Sequence, residues 1–205
     1  MAIILHLPLK SPERLGFERA RRGRRAEPGP KDQLSLFAAS SGAHIHRLQT
    51  GTPFEQALML DEQNDPRAAQ AYRDAINNND CMPDAYCNLG ILEFKGGRST
   101  KAVDYFTEAL RNDPRHFESH YNLGNLYFES GDVRLAKVHY EIAAELAPTF
   151  PNVHFNLGLV HAMNEDYPTA ISSLKRYQEL STADEGKKAD ELLASLRRSI
   201  QLKRQ

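Results

Sequence analysis

The triplet Asn-Leu-Gly occurs three times at one interval: Asn88-Leu89-Gly90, Asn122-Leu123-Gly124 and Asn156-Leu157-Gly158 follow one another by 34 residues. A period of that length belongs to stacked helical hairpins and restricts the fold before any single residue is weighed. Ala68, Ala102, Ala136 and Ala170 keep the same spacing, and Tyr72, Phe106, Tyr140 and Leu174 follow each of them by four. Ala75, Ala109 and Ala143 come three later, with Tyr177 breaking the series, and Asp113-Pro114 and Ala147-Pro148 close two units. The recurring glycines and alanines let two helices of a unit approach closely, while the rings four residues on fill the neighbouring gap. Turn signals fall between the helices at Lys95-Gly96-Gly97, Ser130-Gly131-Asp132 and Asn164-Glu165-Asp166. Thr52-Pro53-Phe54-Glu55 reads as a capping box, and Asp65-Pro66 and Tyr167-Pro168 are read as further helix starts with proline at the first position.

These positions together resemble the tetratricopeptide repeat. The resemblance implies an all-α solenoid of four helix-turn-helix repeats, over about 49–82, 83–116, 117–150 and 151–184. The first unit is degenerate, with Gln56 where the others carry glycine, as expected of a terminal repeat. Beyond the fourth unit, Thr182 to Gln205 reads as one more helix, its 185–205 portion a C-terminal cap. Leu192, Leu193, Leu196 and Ile200 form its apolar stripe, and Lys187, Lys188, Arg197, Arg198, Lys203 and Arg204 its wet side.

Residues 1–48 are expected to be a disordered basic arm. They hold nine Lys/Arg against four Asp/Glu, whereas the rest of the chain holds 17 against 23. Between Ser11 and Ser41 the arm is rich in Gly, Pro, Ser and Arg, a composition that cannot bury enough surface to fold alone. Its most basic stretch carries Arg19, Arg21, Arg22, Arg24 and Arg25. Three readings stand for it: a solvated tail, an anion or nucleic-acid contact through clustered arginines, and a segment that folds back on the acidic repeats. Two cysteines, Cys81 and Cys87, argue for free thiols in a reducing compartment. No apolar run is long enough to span a bilayer, and the apolar opening is followed, not preceded, by cations. A cytoplasmic protein with no membrane partner is therefore expected.

Within the arm, Gln33-Leu34-Ser35-Leu36-Phe37 is similar to the short peptide by which bacterial polymerases and repair proteins hook onto the DNA sliding clamp. The competing reading docks Leu34, Leu36 and Phe37 on the first helix pair of this same chain. The run from Phe54 to Leu60, with Pro66-Arg67-Ala68-Ala69 and Tyr177-Gln178-Glu179-Leu180, is also similar to the repeat part of bacterial MerR-headed regulators. The 48 arm residues, with several Gly and Pro, are expected to offer no helix-turn-helix head, so the resemblance implies only a bacterial origin and a role beside transcription or replication.

In tetratricopeptide-repeat domains the first helix of each unit lines a concave face where peptides or partner helices bind. On this chain that implies a ladder of Asn88, Asn122 and Asn156, flanked by Cys87, Tyr121 and Phe155, by Ile91, Asn125 and Leu159, and by Phe94, Phe128 and Ala162. A primary amide carries a donor and an acceptor, so a row of asparagines can pair with the backbone of an extended ligand whatever its sequence. The same asparagines can instead satisfy local turns. The aromatic residues are the expected anchors of a partner, because rings give large contact area at low entropy cost.

Carboxylate-clamp domains of this class place Lys and Arg in the groove, where this chain has Cys, Tyr, Phe, Asn and acids, with Lys95 the evident cation. An apolar, positively charged partner fits better than an acidic tail. The chain's own arm meets that description, so self-docking in cis or in trans is expected. His116 and His120 flank Glu118, but a zinc-protease helix needs the acid directly after the first histidine. His120 and His154 take the place of a large packing side chain, and His44-Ile45-His46 lacks a third metal ligand. No cofactor, metal or catalytic constellation is implied. The sequence reads as a non-catalytic adaptor that binds a peptide or partner helix in its groove. The alternative is a nucleic-acid-associated factor acting through the arginine-rich arm and the Gln33–Phe37 peptide.

Overall fold

The computed structural model describes residues 16–21 and 51–203. Helices α1 (Pro53–Glu62) and α2 (Ala68–Asn77) form the first hairpin, α3 (Met82–Lys95) and α4 (Ser99–Asn112) the second. The third is α5 (Phe117–Glu129) with α6 (Val133–Leu146), and the fourth α7 (Pro151–Met163) with α8 (Tyr167–Leu180). Each hairpin packs on itself and then, through its second helix, on the first helix of the next. No strand occurs among the described residues, and none of their helices is long and apolar enough to cross a membrane.

The core divides as the repeat demands. One buried cluster joins α1, α2 and the Ala85–Leu89 face of α3, and a second joins α3, α4 and the Leu123–Leu126 face of α5. The next joins α5, α6 and α7. A hairpin alone thus leaves half its apolar surface bare, and its successor covers it. The first helices α3, α5 and α7 lie between two hairpin layers and are buried nearly all round, whereas α4 and α6 bury one stripe, Ala102-Phe106-Ala109 and Ala136-Tyr140-Ala143.

The glycines of the repeat are fixed by their partners. A Cβ on Gly90 would stand 2.6 Å from Phe106 Cε1, on Gly124 2.5 Å from Tyr140 Cδ1, and on Gly158 2.6 Å from Leu174 Cγ. No side chain larger than hydrogen fits without moving the ring or leucine four residues past the repeat alanine. The turns repeat as well: Gly97, Gly131 and Glu165, 34 apart, all have positive φ, so the last hairpin makes with a glutamate the turn that glycine makes in the second and third.

The first helix starts on its expected capping box, Thr52 N–H donating to Glu55 Oε2 (2.9 Å) and Glu55 N–H to Thr52 Oγ1 (3.4 Å). Asp65-Pro66 departs from expectation. Helix α2 begins only at Ala68, and Asp65 instead closes the preceding turn by accepting from Arg67 N–H at 2.8 Å. The cap also differs from one continuous helix. Thr182 and Glu185 form a second capping box on a short helix, α9 (Ala183–Gly186). A 3-10 turn at Lys187–Ala189 follows, and then α10 (Asp190–Lys203). The break lets the chain fold back over α8, where Gln178 Nε2 donates to Gly186 O (3.4 Å) and Asp190 Oδ1 (2.7 Å). Leu192, Leu193 and Leu196 then close the last cluster against Phe155, Leu174 and Tyr177.

Two histidines occupy the packing position predicted for them. His120 Nε2 lies 3.2 Å from Pro114 O and His154 Nε2 2.9 Å from Pro148 O, so each ring ties its helix to the proline that ends the previous unit. Pro114 O only accepts, which puts the Nε2 proton on His120 and leaves its Nδ1 to accept from His139 Nδ1, 3.1 Å away. Burial, together with the charge His120 would carry, pushes the His139 imidazole down to about 4, and burial lowers His120 too. A depressed folded value means stability present above the unfolded value near 6.5 and lost as pH falls towards about 4. Thermal melts between pH 7 and 4 should show that loss, and His139→Phe should flatten it; an unchanged acid limb in the variant would remove the pair as its cause.

Candidate peptide-binding groove

The groove begins with the first helices. Asn88 on α3, Asn122 and Asn125 on α5 and Asn156 on α7 are all fully buried. A buried amide must find partners for its donor and acceptor, and for Asn88 and Asn122, and for the Asn125 donor, a backbone supplies them. Residues 16–21 lie extended along the concave face. Asn88 Oδ1 accepts from Ala20 N–H at 3.0 Å, and Asn88 Nδ2 donates to Ala20 O at 3.0 Å. Asn122 Oδ1 accepts from Glu18 N–H at 2.9 Å, and its Nδ2 donates to Glu18 O at 2.8 Å. Asn125 Nδ2 reaches Gly16 O at 3.2 Å. Alternate residues of an extended chain face the same way, about 6.6 Å apart, so one repeat advances the strand by two residues.

Side chains around the asparagines hold them in register. Asn88 Nδ2 also donates to Tyr72 Oη (3.2 Å), whose hydroxyl donates to Asp61 Oδ2 (3.2 Å). Burial, then the Asp61 charge, pushes the Tyr72 phenol far above its ordinary range, so it stays a donor. Tyr140 Oη donates to Asn125 Oδ1 at 2.7 Å, and Asn156 Nδ2 to the same oxygen at 2.9 Å and to Tyr121 Oη at 3.2 Å. Cys87 Sγ accepts from Asn122 Nδ2 at 3.4 Å. The tyrosines that fill the gaps between hairpins therefore also orient the ladder.

At the first-repeat end the groove is acidic. Arg19 Nη2 donates to Asp61 Oδ1 at 2.8 Å and to Asp61 O at 3.3 Å, and Arg21 lies 3.8 Å from Glu62. Asp61 is 2% exposed. Phe17 rests against Phe94 (centroids 4.5 Å apart) and Phe106 (6.4 Å), and Ala20 is fully buried in the cluster that also holds Cys87, Ile91 and Ala102.

Several sequence expectations change here. The arm is not featureless between 16 and 21, because these residues hold a defined backbone against α3 and α5. Arg19 and Arg21, weighed as anion contacts, face carboxylates, while Arg22, Arg24, Arg25, the Gln33–Phe37 peptide, His44 and His46 lie outside the described residues. Tyr121 and Phe155 are not open rings. Tyr121 is enclosed among Phe117, Tyr140 and Phe150, and Phe155 packs edge-on against Tyr177 at 5.0 Å. Leu159 likewise belongs to the last buried cluster, with Phe128 packed against it. Phe94 touches the seated segment, and Phe106, from a second helix, joins it. Asp61 and Glu62 carry no periodic signal in the degenerate first hairpin, whereas Tyr72 is a repeat ring whose second task, orienting Asn88, the period does not reveal. His116 caps α5, its Nδ1 accepting from Ser119 N–H at 3.2 Å, with Asp84 3.3 Å from Nε2.

Hairpins of this length, packed into a curved stack with an inner wall made by first helices, define a tetratricopeptide-repeat solenoid. Models of the tetratricopeptide repeat match residues 54–117 and 105–137, and a TPR-repeat model matches 124–165. Comparison with curated proteins finds no significant relative. Among solved structures the chain is similar to the first TPR of Spaghetti (RPAP3) bound to the HSP90 peptide SRMEEVD. That match has 18% identity and a TM-score of 0.54, and covers 58% of this chain and 93% of the other. It is also similar to the RS-1 ArsTM double mutant of MamA (18% identity, TM-score 0.55, 75% and 97% covered). A third likeness is the Arabidopsis OM64 TPR domain (18%, 0.53, 58% and 96%). At such identities the likeness is one of fold.

Proposed function

We propose that this chain is a non-catalytic adaptor whose concave groove binds an extended polypeptide through its backbone. The observation that carries the reading is the pairing of Asn88 and Asn122 with both the N–H and the C=O of residues 20 and 18. Four hydrogen bonds to main chain alone make a grip that any unfolded segment with the right length meets, as in strand addition to a sheet edge. The arm then acts as a resident occupant that a partner must displace. Peptide binding by the RPAP3 domain supports the class of function, but its peptide ends Glu-Glu-Val-Asp, and the acids Asp61 and Glu62 make an acidic ligand unsuitable here.

Affinity capture from cell extract tests the reading, with the intact chain and its Asn88→Ala/Asn122→Ala variant as paired baits. Partners held by the groove should be lost from the variant while the stack stays folded by circular dichroism. They should also survive an increase from 50 to 300 mM salt, because neutral amide–backbone bonds release no counterions, unlike phosphate contacts. Identical captures by both baits would reject the groove as the binding surface.

A further inference from the structure

Resting on that reading, we infer that the groove selects its partner by sequence, taking basic segments in which an aromatic residue is followed two positions later by Arg-Ala. The pattern follows from what residues 17, 19 and 20 meet, while the asparagines fix only the register. Ala20 is fully buried within a packed apolar cluster, so a longer side chain at that position has no space. Phe17 fills the ring slot of Phe94 and Phe106, which a small residue would leave empty.

The arginine position is the most discriminating. Asp61 is 2% exposed, and of the described cations only Arg19 pairs with it. Tyr72 Oη satisfies its other oxygen but brings no charge. A ligand without a cation there would leave a carboxylate buried and uncompensated, which is strongly unfavourable. The arginine reads a second atom as well, since Nη2 donates to Asp61 O at 3.3 Å. A lysine offers a compact point charge in place of a planar fork and suits the pair less well. The first hairpin, in which Phe54 stands where the ladder asparagine would be, thus replaces backbone grip with charge reading.

The resident segment carries this pattern, Phe17-Glu18-Arg19-Ala20, and competes at the high effective concentration of a tethered ligand. The test therefore weakens the tethered copy in the full-length chain with Arg19→Gln. Fluorescence anisotropy then follows a labelled Gly-Phe-Glu-Arg-Ala-Arg peptide added in trans. It should bind the Arg19→Gln protein about tenfold or more tighter than the unaltered chain, because the competitor has lost its ion pair. On that protein, peptides with the first Arg changed to Gln, or the Ala to Leu, should each bind about tenfold or more weaker. In Asp61→Asn/Arg19→Gln protein the Arg and Gln peptides should converge to within about twofold, as a coupled pair requires. Should that protein not fold, the peptide series on Arg19→Gln decides alone. Equal binding of Arg and Gln peptides there overturns the selectivity and leaves the groove reading intact, whereas no binding of any peptide overturns both.

Discussion

Gly124→Val should unfold the stack from its middle. The first added carbon alone would sit 2.5 Å from Tyr140 Cδ1, and the two methyls beyond it have nowhere to go. Tyr140 is fully buried and cannot swing aside freely, because its hydroxyl is held at 2.7 Å by Asn125 Oδ1. Retreat of the ring would therefore break a groove asparagine's support as well as the seam between α5 and α6. Overpacking of this kind costs about 3 kcal/mol, and in a domain of this size that lowers Tm by about 10 °C. Gly90→Val meets Phe106, which has no hydroxyl anchor, and should cost less. Scanning calorimetry checks both; a Gly124→Val protein melting within two or three degrees of the unaltered chain would mean the hairpins are not packed as described.

Asn88→Ala/Asn122→Ala should release residues 16–21 from the groove. Each asparagine makes two bonds to the segment's backbone, with the Ala20 pair wholly enclosed. At about 1 kcal/mol per bond the double variant loses about 4 kcal/mol, a shift of roughly a thousandfold in the docking equilibrium. Limited trypsin digestion reads this directly, since cleavage after Arg19 requires the backbone to leave Ala20's pocket. The double variant should be cut there at least tenfold faster, and Asn156→Ala, whose amide reaches Tyr121 and Asn125, should have the smaller effect. Equal cutting rates would show that the amides do not hold the segment.

Much of this was legible in the chain because repetition amplifies weak signals. Gly90, Gly124 and Gly158 are each a modest clue, but three at one interval fix hairpin, seam and stacking together. The charge difference between arm and body, with the asparagine row, likewise pointed to an extended basic segment in the groove. What was not legible lay where repetition gives no help. Asp61 is aligned with Lys95, Glu129 and Met163 in the other hairpins, so nothing in the period marks it. Tyr121 and Phe155 are enclosed rather than open for a different physical reason. Helices α5 and α7, which carry them, are covered on several sides, so their apolar pattern runs all round and does not tell the groove stripe from the seams. The ring slot also draws Phe106 from a second helix, a juxtaposition that only packing creates.

Amide groups gripping main chain are the central feature of this groove. Hydrogen exchange at the Glu18 and Ala20 amides, followed by NMR in the intact protein at neutral pH, measures that grip where it acts. Both protons should exchange at least a hundredfold more slowly than in an unstructured peptide of the same sequence, with Ala20 the slower because it is sealed from water. Exchange of both at the unstructured rate, in a chain whose α5 amides remain protected, would contradict it.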